Sequence, residues 1–204
     1  MDHKPLPVGV DDFEKLVTRG YYYIDKTWFM KELLDKKGDV NLFTRPRRFG
    51  KTLNMSMLQY FFEDMHTDDG EKKDNAYLFE QMKIMEAGED YLAHMGRYPV
   101  INLTLKDAKQ PDFELAYAAI RRQIANEYYR HRYILRAEGL SEKKEEYLNI
   151  MRRKADRDSY NQSIQFLSQC LEAYYGKKAI ILIDEYDVPL ENAFTQNFYN
   201  EMAG

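Results

Sequence analysis

The sequence predicts an α/β fold in which a parallel sheet is flanked by helices. Three short apolar stretches read as buried strands bounded by charge or glycine: VNLFT (40–44), YPVINLTL (98–105) and KAIILID (178–184). The segments between them are far too long for hairpins and carry helical spacing of apolar residues. Strands alternating with helices in this order imply parallel pairing through right-handed crossovers.

Taken in chain order, residues 1–39 form a leading segment and a helix, and residues 40–204 the main core of one domain. In GYYYIDKTWFMKELLDKKG an extended piece precedes the helix, with Asp25 placed to cap it and Gly38 to end it. From Leu53, LNMSMLQYFFED sets Leu53, Met57, Tyr60 and Phe61 on one helical face. Residues 112–137 and 159–175 read as longer amphipathic helices. The charged run 141–158 reads as a solvated helix face or a connector.

Bulk properties narrow the classes of function. A chain of 204 residues has room for one ordinary domain, and 44% hydrophobic content with 17 tyrosines exceeds what a disordered chain carries. The net charge of −4 supplies no global field for nucleic acid, so anion binding must come from local clusters. Cys170 is the lone cysteine, which rules out an internal disulfide and a thiolate zinc cage and suits a reducing, cytoplasmic setting. The amino terminus lacks a signal-peptide core, and no apolar run approaches the roughly 20 residues that span a bilayer.

Chemistry concentrates in TRPRRFGKT (44–52). Polyphosphates bind where backbone N–H groups converge at the start of a helix, which requires a tight turn. Gly50 permits close backbone approach, Lys51 can reach the β and γ phosphates, and the Thr52 hydroxyl can hold magnesium. The loop spans Arg45, Pro46, Arg47, Arg48 and Phe49 and runs into Leu53. Arg45 stands where the usual pattern has its first glycine. Pro46 stiffens the exit from the strand, and Arg47 and Arg48 can add charge beside the phosphate seat or bind carboxylates.

A second constellation lies in KAIILIDEYDVPL. Ile180 to Ile183 read as a strand buried on both faces, delivering Asp184 and Glu185 at the carboxyl end, the edge where open α/β sheets bind ligands. An aspartate so placed can hold magnesium, and the adjacent glutamate can polarise the attacking water. Asp187 reads as a capping or turn residue before Pro189.

With these residues in hand, the chain resembles the bacterial predicted AAA-ATPase-like family. The resemblance runs through LPVGVDDFEKL, YYYIDKT, LFTRPRRFGKTLNMSMLQYFF, YPVINLTL and ILIDEYDVPLENAF, nearly the whole chain. It implies a P-loop NTPase-type parallel sheet, with Lys51 and Thr52 in the Walker A role and Asp184 and Glu185 in the Walker B role. The missing first glycine is then a family trait. Members often continue into a restriction-endonuclease-like nuclease domain, so the chain is expected to be the front part of a longer protein, truncated after the Walker B strand. YYYIDKT matches a family block as well, and reads as an aromatic core strand leading into a capped helix beside a role in covering the nucleotide.

Three functions are thus expected to compete. One is an ATP-binding module with magnesium-dependent hydrolysis that drives an effector. Another is a non-hydrolysing nucleotide-sensing or protein-interaction module, whose open sheet edge invites self-association. The third, nucleic-acid binding through Arg45, Arg47, Arg48 and nearby tyrosines, rests on a small cluster that overlaps the phosphate seat.

Overall fold

The computed structural model describes residues 4–44, 49–67 and 69–203. The chain divides into two compact units, one of Met1–Thr67 with Lys72–Tyr98, the other of Asp68–Glu71 with Pro99–Gly204.

The first unit is helical. Asp12 opens α1 (Phe13–Thr18) by accepting the Lys15 N–H at 2.8 Å. Helix α2 covers Trp28–Lys36 and ends at Lys37, which takes the left-handed conformation itself at φ 47°, one residue before the expected Gly38. Helix α3 spans Lys51–Phe62 and buries Met57, Leu58, Phe61 and Phe62. Helix α4 is a single turn, Glu89–Leu92. Aromatic packing centres this unit. Phe13 stacks on Phe79 with ring centroids 5.2 Å apart, and Phe61 meets Phe79 edge-on at 5.4 Å.

In the second unit β1 (Val100–Thr104) and β2 (Ile180–Asp184) pair in parallel, with Val100 opposite Ile180 and Thr104 opposite Asp184. The crossover carries α5 (Phe113–Arg130), α6 (Lys144–Met151), α7 (Arg157–Asn161) and α8 (Ser163–Tyr175). Helices α9 (Val188–Thr195) and α10 (Tyr199–Ala203) follow β2. The core joins Ile101 and Leu103 of β1 to Tyr128, Tyr147, Ile150, Leu167 and Leu171. Its buried tyrosines are satisfied: the Tyr147 hydroxyl donates to the Tyr128 carbonyl at 2.7 Å, and that of Tyr128 to the Ser163 carbonyl at 2.6 Å. The charged run before residue 158 therefore hides a core contribution, because α6 fully buries Tyr147 and Ile150.

The strand expectations change in two respects. Among the described residues 40–44 pair with no strand: Val40 is 89% and Leu42 65% exposed, and Phe43 rests edge-on against Phe29 of α2. A strand exists only with a partner, and partnership is a tertiary property that five apolar residues do not encode. Strand β2 is also not buried on both faces. Leu182 is buried, while Ile181 and Ile183 remain exposed.

The outer edge of β1 is closed by side chains. Ile180 N–H donates to the Pro99 carbonyl and Leu105 N–H to that of Asp184, so Val100 and Asn102 turn their backbone groups to the far side of β1. There α5 closes the edge. The Asn102 N–H donates to Glu127 Oε1 at 2.8 Å, and the Val100 carbonyl accepts from Arg130 Nη2 at 2.6 Å and His131 Nε2 at 3.0 Å. Side chains thus occupy the positions a third strand would use, which protects the β1 edge.

Candidate phosphate-binding site

The expected site residues fall at two places. In the first unit Gly50 precedes α3 with φ 77°, a left-handed turn that glycine adopts without strain. Lys51, half-buried, and Thr52, exposed, are the first two residues of the helix, with Leu53 third. The helix holds from its first turn, since the Asn54 N–H donates to the Gly50 carbonyl at 2.9 Å. Gly50, at the cap position, brings no side chain to this end. The N–H groups of the helix and the positive end of its dipole can therefore serve an anion. Phe49 is exposed just before the turn. Arg45, Pro46, Arg47 and Arg48 lie outside the described residues.

The segment ahead of α2 packs against this helix. Burial pushes the Tyr23 hydroxyl up to about 12, so it stays protonated and donates to Met57 Sδ of α3 at 3.4 Å. Asp25 does not cap α2 directly. Its Oδ1 accepts from the N–H (2.8 Å) and hydroxyl (2.7 Å) of Thr27, and its Oδ2 from the Lys83 N–H (2.7 Å). Thr27, the residue preceding α2, is fully buried, and its hydroxyl oxygen accepts from the Ile84 N–H at 3.1 Å. YYYIDKT is therefore no core strand. It alternates the half-buried Tyr21, Tyr23 and Asp25 with the exposed Tyr22 and Ile24.

In the second unit Asp184 is the last residue of β2 and is buried, its Oδ1 accepting the Glu185 N–H at 3.0 Å. Glu185 follows with φ 54°, a left-handed conformation that costs a non-glycine residue about 1 kcal/mol or more. Asp187 precedes α9 at its capping position without a side-chain hydrogen bond, and the buried Pro189 stands in the first turn. A hollow of about 840 Å³ opens beside the start of α5. It is no triphosphate seat, since Asp112, Glu114, Asp158 and Glu201 outnumber Arg157 on its walls.

The chain matches the family described as predicted AAA-ATPase over residues 7–204. It belongs to that family. Membership suggests nucleotide binding, with ATP as the nucleotide and magnesium as the metal generally expected beside it. The chain is also 25% identical over 202 residues to a protein of Azotobacter chroococcum mcd 1 described as an uncharacterized protein in the vnfD 5' region. That alignment covers 96% of this chain and 31% of the relative, so the chain spans about a third of the relative's length. No solved structure matches. Among the described residues no helix is long and apolar enough to cross a membrane.

For a predicted AAA-ATPase the residues present suit the ligand. A glycine turn leads into a helix bearing a lysine and a hydroxyl, and a carboxylate ends a parallel strand; hydroxyl and carboxylate oxygens are the hard donors magnesium takes. The polar cluster of Glu127, Arg130 and His131 escaped sequence reading. Its trace was a glutamate followed at i+3 and i+4 by two basic residues, inside a segment recognised only as amphipathic.

Proposed function

We propose that the chain binds ATP with magnesium through the start of α3, and that the complete protein hydrolyses it to drive an attached effector. The observation that carries this reading is the left-handed turn at Gly50 handing directly to Lys51 and Thr52 in the first turn of a twelve-residue helix, within a family described as predicted AAA-ATPase. In this reading Lys51 binds the β and γ phosphates and Thr52 holds the metal, while Asp184 takes a metal-ligand role and Glu185 a water-activating role in hydrolysis by the complete protein. The N–H groups at the start of α3 bind the phosphates, and the charges of Arg45, Arg47 and Arg48 are expected to contribute. Magnesium, when bound, neutralises charge on the β and γ oxygens. The left-handed backbone at Glu185 supports its role, because strain of this kind collects at functional positions.

Glu185→Gln separates binding from turnover. It is expected to leave ATP affinity within about twofold and to cut phosphate release by roughly a hundredfold or more, since a positioned base contributes about that much. Isothermal titration beside a phosphate-release assay reads both. Undiminished release in the variant would remove Glu185 from the chemistry.

A second reading is a nucleotide-sensing or interaction module without turnover. The exposed Ile181, Ile183, Tyr186, Leu190 and Phe194 favour it, because they offer apolar surface in the second unit. ATP binding by the purified chain without phosphate release supports this reading, and sustained release excludes it.

A further inference from the structure

We propose that Lys26 is a second phosphate-binding cation, placed by the YYYIDKT segment over the turn that precedes α3. The inference rests on the phosphate-loop reading above and adds to it a residue outside the loop.

The geometry comes from within the first unit. Lys26 Nζ lies 4.0 Å from the point where a Cβ on Gly50 would sit. That point adjoins the start of α3, where helix N–H groups can hold an anion. The ammonium is exposed, and among the described residues no carboxylate pairs with it. Its neighbour Asp25 is occupied by the Thr27 and Lys83 donors. An unpaired ammonium beside a helix start would be repelled by the dipole there. A bound anion turns that repulsion into attraction from both sides.

The backbone carrying Lys26 is held from two directions. The Lys26 N–H donates to the Tyr23 hydroxyl at 3.2 Å, and that hydroxyl in turn donates to Met57 on α3. The next residue, Thr27, is fully buried and bonded to Ile84. These contacts fix the stem while the amine keeps its freedom at the turn. Flexible, strongly hydrated and singly charged, a lysine head suits a phosphate oxygen whose position shifts between bound states. The ligand class is a nucleoside polyphosphate, recognised here through its phosphate chain alone.

Lys26→Ala, Lys26→Glu and Lys26→Arg, titrated with ATP and with adenosine, test the proposal. Alanine is expected to weaken ATP binding about tenfold, the range of a charge-assisted contact at an exposed site, and glutamate more. Arginine should restore most of the affinity, and adenosine binding should not move in any variant. Thermal melting points close to that of the unmodified protein are expected, since the amine is exposed. Equal or tighter ATP binding by Lys26→Ala in a protein that still loses ATP on Lys51→Ala overturns the role of Lys26 alone. Parallel losses for ATP and adenosine overturn it too, by showing a structural effect. If the unmodified protein takes up no ATP, the phosphate-loop reading falls and this inference with it.

Discussion

Lys51→Ala is expected to reduce ATP affinity by about a hundredfold, beyond detection in most titrations. The side chain stands in the first turn of α3 immediately after the left-handed Gly50, so its amine and the helix N–H groups would share one anion. Removing it deletes charge-assisted hydrogen bonds worth about 1.5–3 kcal/mol each from the cation nearest the helix start. The loss should not come from unfolding. Lys51 is half-buried and contributes nothing to the Phe13, Phe61 and Phe79 packing, and alanine favours the helix at least as well as lysine. Lys51→Arg should recover part of the affinity. Calorimetric titration with ATP in magnesium buffer, beside circular dichroism, reads binding and folding separately. An alanine variant that binds ATP like the parent would place the nucleotide elsewhere.

The features legible in the sequence were those encoded locally. Helical spacing from Leu53 anticipated α3, and the segments 112–137 and 159–175 contain α5 and α8, each shorter than the expected helix, because a period of 3.6 repeats within a few residues. Both observed strands lay inside their apolar runs. What failed depended on neighbours. VNLFT looks as apolar as the stretches that became strands, yet it has no partner among the described residues, and Ile181 and Ile183 stay exposed on one face of β2. In the charged run before residue 158, Tyr147 and Ile150 were enough to anchor α6 in the core. The phosphate-loop residues were legible as a motif, because Gly-Lys-Thr states its chemistry in adjacent letters. Lys26 was not, since its place depends on contacts such as Tyr23 with Met57 and Thr27 with Ile84, far apart along the chain.

Stability should depend most on a group with no part in the proposed chemistry. Glu127 is 5% exposed, and its carboxylate accepts from Asn102 N–H and from Arg130, with His131 Nε2 at 3.4 Å. Burial alone would push this carboxyl up. The adjacent Arg130 charge and the hydrogen bonds from His131 and Arg130 outweigh it and hold the group at about 2. A carboxyl that titrates lower in the folded protein than in the unfolded chain stabilises the fold above its unfolded value of 4.5, and that contribution drains away as pH falls towards about 2. The interval corresponds to on the order of 3 kcal/mol. Glu127→Ala should cost a similar ~3 kcal/mol at neutral pH, because it leaves Arg130 without its buried partner and uncaps the Asn102 N–H on the β1 edge. Glu127→Gln is the sharper test. Its amide oxygen can still accept from Asn102, but it carries no proton to titrate, so urea-unfolding stability should fall less between pH 5 and pH 3 than in the parent. An equal acid slope in both proteins would assign the pH dependence to other carboxylates, such as Glu14, which its hydrogen bond with Lys73 also holds below the usual range.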